Sequence, residues 1–172
     1  MKKIILLGYM GCGKSTIAQL LAKSTSISPL DLDDIIEKQE NSSVLNIFSD
    51  KGEIYFRKLE NQILVNLIQN QDSFILSLGG GTPCYSNNHE LLKSDNVISI
   101  YLNASVETLF DRLINSNEQR PLIANKSPVE MKEYIAKNLF DRSYYYNQAQ
   151  QKINVDGKST QEIIAEIQAI LA

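Results

Sequence analysis

Two hydrophobic rhythms alternate along this chain. Ile4-Ile5-Leu6-Leu7 is a short, unbroken apolar run, and Phe74–Leu78 and Val97–Leu102 repeat the pattern. Apolar runs of this length, with no polar residue in alternation, predict strands buried on both faces. Between them the period changes. Ile17, Leu20 and Leu21 recur at helical spacing and predict a helix over Lys14–Lys23. The clearest helix runs from Glu53 to Gln69, where Phe56, Leu59, Ile63, Leu64, Leu67 and Ile68 form one apolar stripe. Val106–Ile114, Pro128–Tyr146 and Thr160–Leu171 also read as helices. Weaker signals fill the gaps. They are a strand at Leu30–Leu32, a helix opening at Asp33 and Asp34, a helix over Ser42–Asp50 stopped by Gly52, and a last strand at Lys152–Val155. Either acid suits the cap of its helix, and Asp34 is the better placed. Asn115–Ser127 is polar, carries Pro121 and reads as a mobile loop.

Apolar strands separated by helices imply an α/β fold, with a mostly parallel sheet covered on both faces. Ligands in such folds sit past the C-terminal strand ends. The turns after the first three strands hold Gly8–Thr16, Asp31–Asp34 and Gly79–Gly81. The first reads Gly8-Tyr9-Met10-Gly11-Cys12-Gly13-Lys14-Ser15-Thr16, which fits G-x-x-x-x-G-K-[ST] between a strand and a helix. Its glycines let successive amides turn inward toward phosphate oxygens. The helix N-terminus adds unpaired N–H groups and partial positive charge. Lys14 supplies a full charge to the β- and γ-phosphates, and the Ser15 hydroxyl is a ligand for Mg2+.

Composition narrows the setting. A chain of 172 residues suits one domain, 1–172, with a core of its own. A net charge of -3 argues against a nucleic-acid partner. Two cysteines, Cys12 and Cys84, are too few for a disulfide framework and point to the reducing cytoplasm. No signal peptide and no membrane span is expected, and the expected state is a monomer.

A phosphate loop is shared by GTPases, ATPases and small-molecule kinases. The base-reading N-K-x-D signature is missing, because Asn125-Lys126 continues Ser127-Pro128. The place for a strand-ending metal aspartate holds Ser77, which leaves Asp31 as the best-placed carboxylate for Mg2+.

Five motifs follow one another along the chain: Gly11-x-Gly13-Lys14-Ser15-Thr16, Asp31-x-Asp33, Gly52-Glu53-x-x-Phe56-Arg57-x-x-Glu60, Gly79-Gly80-Gly81 and Arg120-Pro121-Leu122. In order and spacing, taken together, they resemble the shikimate kinases. Arg142 with Tyr144–Tyr146 resembles that family's late Arg-x-x-x-Tyr, with Tyr146 the nearest match. The resemblance implies a three-layer P-loop fold similar to nucleoside monophosphate kinases, with a five-stranded parallel sheet of order 2-3-1-4-5. It also implies a substrate-binding segment over residues 33–60 and a lid over 115–127. The implied reaction moves the γ-phosphoryl of ATP to the 3-hydroxyl of shikimate, with Mg2+.

The same resemblance assigns roles. Gly11, Cys12, Gly13, Lys14, Ser15 and Thr16 would hold the nucleotide, and Ser15 and Asp31 the metal. Arg57 and Arg142 would clamp the substrate carboxylate, a task suited to the planar guanidinium fork. Arg57 also has an ordinary reading as a helix-surface charge paired with Glu60, three residues on. Asp33 would orient the reacting hydroxyl and take its proton late; an ordinary aspartate titrates about three units below neutrality and is a weak base. Gly79, Gly80 and Gly81 would let the backbone approach the substrate. Arg120 would swing from the lid onto the phosphates. Arg112 would stack on adenine, with Lys158 a weaker contact at that edge. Lys14, Asp33 and Arg120 form the catalytic set. Cys12 stands where relatives usually carry a small residue; either only its N–H matters, or its thiol is activated by Lys14 and the helix N-terminus. Ser143 stands where relatives often hold proline. His89 is expected exposed and without a role. Two other functions compete: a kinase for another polyol acid such as gluconate, and a non-catalytic sensor of nucleotide or shikimate.

Overall fold

The computed structural model describes residues 2–116 and 122–172. The elements run β1 (Lys3–Leu7), α1 (Lys14–Thr25), β2 (Pro29–Asp31), α2 (Leu32–Glu40), α3 (Val44–Asn70) and β3 (Phe74–Ser77). A 3-10 turn at Thr82–Cys84 leads to α4 (Asn88–Leu91), β4 (Ile98–Asn103), α5 (Val106–Ile114), α6 (Pro128–Tyr146), β5 (Gln151–Asn154) and α7 (Thr160–Leu171). The strands form one sheet of order β2-β3-β1-β4-β5, and every neighbouring pair is parallel. That is the expected sheet.

Position in the sheet explains the sequence pattern. Successive strand residues point to opposite faces. Ile4, Ile5, Leu6 and Leu7 of the central strand are all 0% exposed, so both faces are covered there. The edge strand β2 pairs only with β3 and is exposed at Pro29. A proline has no N–H for a second ladder, and an edge does not ask for one. Among the described residues, no helix is long and apolar enough to cross a membrane.

Two local expectations change, and one holds. The strand predicted at Leu30–Leu32 ends at Asp31, and Leu32 opens α2 with its side chain fully buried. The cap therefore falls to Asp31, not to Asp33 or Asp34: the Asp33 amide donates to Asp31 Oδ1 at 3.0 Å. The change leaves the Asp33 carboxylate free of capping duty. The two helices predicted on either side of Gly52 are both present: α3 is kinked between them, where Gly52 leaves helical geometry at φ 82° and ψ 169°, as the sequence led one to expect. The bend aims the second arm, with Arg57 and Glu60, at the end of β3. Finally, His89 is not exposed. Its side chain is 12% accessible and packs against the ring edges of Tyr144 and Tyr145 at 6.0 and 5.2 Å, because the end of α6 lies over α4.

Arg120, with Asn117 to Pro121 around it, lies outside the described residues.

Candidate active site

The three turns past β1, β2 and β3 meet at one end of the sheet, around a cavity of about 600 Å³. Lys14, Ser15, Asp31, Asp33, Gly79 and Gly80 all line it. The Lys14 ammonium donates to the carbonyls of Gly8 (2.9 Å) and Tyr9 (3.1 Å), which tether it to the start of its own loop. Arg112 reaches across from α5 and donates to the carbonyls of Cys12 (3.0 Å) and Gly11 (3.3 Å). It thus braces the loop from outside, while also lining the cavity. Lys158 lines the same cavity and pairs with Glu166 at 2.6 Å. The Cys12 side chain is buried, with Sγ 3.9 Å from Lys14 Nζ, so the residue presents its backbone rather than its thiol.

The carboxylates of the second turn differ from ordinary aspartates. Burial pushes the Asp33 carboxyl up to about 6, helped by the negative charges of Asp31, Glu60 and Glu37 and opposed by Lys14. The sequence expectation of a weak base near its ordinary value is corrected accordingly, since the fold buries the carboxyl and α3 brings Glu60 to it. Asp31 is raised as well, first by burial and then by Asp34. Its Oδ2 lies 3.4 Å from the Ser15 hydroxyl, while its Oδ1 serves the α2 cap. Two hard oxygens this close, one of them on a carboxylate disfavoured by burial, suit a magnesium ion, which prefers one or two protein oxygens.

The triple-glycine turn is the hub. A Cβ on Gly79 would lie 3.3 Å from Asp33 Oδ1. One on Gly80 would lie 3.1 Å from Arg142 Nη1, and one on Gly81 only 2.8 Å from Arg57 Nη2. Each glycine therefore lies close to one of the three side chains expected to hold a substrate, with the Thr82 hydroxyl nearer still to a Cβ on Gly79 at 3.0 Å, and at Gly81 a side chain could not be added without a shift of Arg57.

Arg57 is braced before any ligand arrives. Its Nη1 is 2.9 Å from Glu60 Oε2, and its guanidinium stacks 3.9 Å from the Tyr85 ring centroid. Glu60 is 1% exposed and takes a second hydrogen bond from the Thr82 hydroxyl at 2.6 Å. The pairing expected between Arg57 and Glu60 is present, with Glu60 buried rather than on the helix surface, and the same guanidinium faces Gly81. Arg142 lies over the Tyr9 ring at 5.4 Å. Thr82 and Tyr85 were not singled out from sequence. No periodicity marks them, and only their closeness to the glycines was a signal.

Comparisons with known proteins extend this picture over the whole chain. The sequence profile described as Shikimate kinase matches residues 10–172. Shikimate kinase of Flavobacterium johnsoniae is 57% identical over 172 residues, spanning 100% of both chains. The crystal structure of shikimate kinase from Bacteroides thetaiotaomicron superposes with a TM-score of 0.91 at 31% identity, covering 99% of this chain and 98% of that one. Shikimate kinase from Acinetobacter baumannii, solved in complex with shikimate, gives 0.85 at 28% identity, covering 99% and 93%. A phosphate loop alone would be matched by many nucleotide-binding proteins, but here likeness runs from end to end and takes in the second and third turns. The chain belongs to the shikimate kinase family.

Proposed function

We propose that this protein transfers the γ-phosphoryl group of ATP to the 3-hydroxyl of shikimate, giving shikimate 3-phosphate and ADP. The observation that carries this reading is the glycine turn, which gathers one carboxylate and two guanidiniums beside the phosphate loop. An acid with ring hydroxyls needs that combination: cations for its carboxylate, an acceptor for the hydroxyl that reacts.

In this reading the amides from Gly11 to Thr16 and the Lys14 ammonium hold the nucleotide's phosphates. Arg57 and Arg142 clamp the shikimate carboxylate, and the Gly79–Gly81 backbone lies along its ring. Asp33 accepts the hydrogen bond of the 3-hydroxyl and takes its proton as the phosphoryl group arrives. With its carboxyl at about 6 it is a better base than an exposed aspartate, yet still ionised at neutral pH. Ser15 and Asp31 would hold magnesium, which when bound neutralises charge on the β- and γ-phosphates. Arg112 and Lys158, which line the same cavity, would meet the nucleotide's base. Arg120, read from sequence alone, would stabilise the transferring charge from a lid over residues 115–127, closing over a substrate segment of residues 33–60. We further read the chain as one domain acting as a cytoplasmic monomer, in keeping with its unpaired cysteines.

A coupled ADP-release assay tests the activity. Shikimate is expected to drive ADP formation, whereas gluconate or no acceptor gives background. Equal rates with gluconate, or none with shikimate, would sink the proposal. The clamp has its own test in Gly81→Ala. The three atoms nearest the new Cβ all belong to the Arg57 guanidinium, so the clash falls on that side chain rather than on backbone and folding should survive. Arg57 must move, and KM for shikimate should rise by about tenfold with KM for ATP little changed, the equivalent of roughly 1.4 kcal/mol of binding. Steady-state kinetics at varied shikimate and a thermal melt check both halves.

A further inference from the structure

The Tyr146 hydroxyl occupies a junction that the mechanism above leaves unused. Tyr146 closes α6 four residues after Arg142, so both side chains lie on one face of the helix. The phenol is 0% exposed. Its hydroxyl donates to the Gly80 carbonyl at 2.6 Å. A Cβ on Gly80 would lie 3.1 Å from Arg142 Nη1 and 3.6 Å from Tyr146 Oη, so guanidinium and hydroxyl press on the same glycine. The two side chains also interact directly with each other. Burial pushes the phenol far above its ordinary range, which keeps it a neutral donor at any working pH.

A hydrogen bond to one carbonyl fixes a whole peptide plane. The described backbone has no cis peptide bond, so the Gly80 carbonyl and the Gly81 N–H point in opposite directions. With the carbonyl held against Tyr146, the Gly81 N–H is turned away from α6. Neither the Gly80 nor the Gly81 amide donates to an acceptor among the described residues. A glycine peptide is otherwise the easiest in the chain to flip, because neither neighbour has a Cβ to resist rotation.

We propose that Tyr146 is a positioning residue for the acceptor: it locks the Gly80–Gly81 peptide so that the Gly81 N–H is offered to the substrate, and holds Arg142 against the same turn. The inference rests on the shikimate reading, in which the glycine backbone already lies against the substrate, and adds to it the residue that holds that backbone in place. The phenol itself touches no reacting atom.

Tyr146→Phe removes one oxygen and keeps the ring. KM for shikimate is expected to rise by about tenfold, the worth of one hydrogen bond that orders a binding group, while KM for ATP stays within about twofold. Tyr101→Phe is the control. Tyr101 is buried 5.1 Å from the Tyr146 ring but makes no bond to the glycine turn, and its KM for shikimate should not move. An unchanged KM for shikimate in Tyr146→Phe overturns the proposal, as do equal rises for both substrates or an equal rise in Tyr101→Phe. A second measurement needs no variant. In wild-type protein the Gly81 amide proton should shift downfield as shikimate is titrated in, and an unmoved resonance refutes the donor role even if Tyr146→Phe fails to fold. Should wild type give no shikimate-dependent ADP, the functional reading fails instead, and the two failures are told apart.

Discussion

Asp33→Asn is expected to lower kcat by about a thousandfold and, at the same time, to raise the melting temperature at pH 7. The loss follows from the role proposed for the carboxylate: an amide can still accept a hydrogen bond from the 3-hydroxyl but cannot take its proton. The gain follows from the surroundings. Burial and the charges of Asp31, Glu60 and Glu37 disfavour the ionised form in the folded chain. The folded carboxyl titrates at about 6 and the unfolded one near 4, so the sign is fixed. Below pH 4 both states are protonated and the group costs nothing. Between pH 4 and 6 the unfolded chain gives up its proton first, so stability falls as pH rises. Above pH 6 the full cost stands, on the order of 1–3 kcal/mol. Asp33→Asn removes it, so the stabilisation should be present at pH 7 and nearly absent at pH 4. Thermal melts at both pH values, paired with single-turnover kinetics, check the two effects. A variant no more stable at pH 7 than wild type would show that the carboxylate is not under electrostatic load.

Lys14→Met should cut kcat/KM by about a thousandfold or more, with the loss concentrated in kcat. The methionine is of similar length and keeps the flexible stem, but its thioether cannot hold the Gly8 and Tyr9 carbonyls or meet phosphate charge. Shikimate binding by calorimetry should stay within about threefold, because the acid's partners lie on other turns. The same variant separates an enzyme from a sensor. If Lys14→Met still released ADP from shikimate at the wild-type rate, the catalytic role of the phosphate loop would be lost, whatever the resemblance.

Much of this was legible before any coordinates. The unbroken apolar run of β1 announced a central parallel strand, because only a strand flanked and covered on both sides has no use for alternation. The phosphate loop and the Arg57–Glu60 spacing are local patterns, and local patterns survive in sequence. What stayed hidden depends on chain brought from far away. Asp33 reads as an ordinary acid until α3 supplies Glu60 and the fold buries it. The glycine turn reads as permissive, and only the fold shows which side chain each glycine admits, since Arg57 and Arg142 are tens of residues distant on opposite flanks. The Asp31 cap was misread by two or three positions because an acidic triplet offers several equivalent N-termini. His89 was misread because its cover comes from a helix 55 residues later.

Glu60 carries a consequence for how such a protein could change its diet. Among the described residues Glu60 is the one buried carboxylate side chain: it steadies a guanidinium, receives the Thr82 hydroxyl and adds to the charge crowding Asp33. A gene duplicate drifting toward a neutral alcohol would gain little by discarding Arg57 alone. It would strand a negative charge in the interior and leave Asp33, the proposed proton acceptor, more crowded than before. Retargeting therefore has to pass through paired replacements, and intermediates with only one of them should be purged. The architecture makes acceptor choice and proton affinity a single inherited trait.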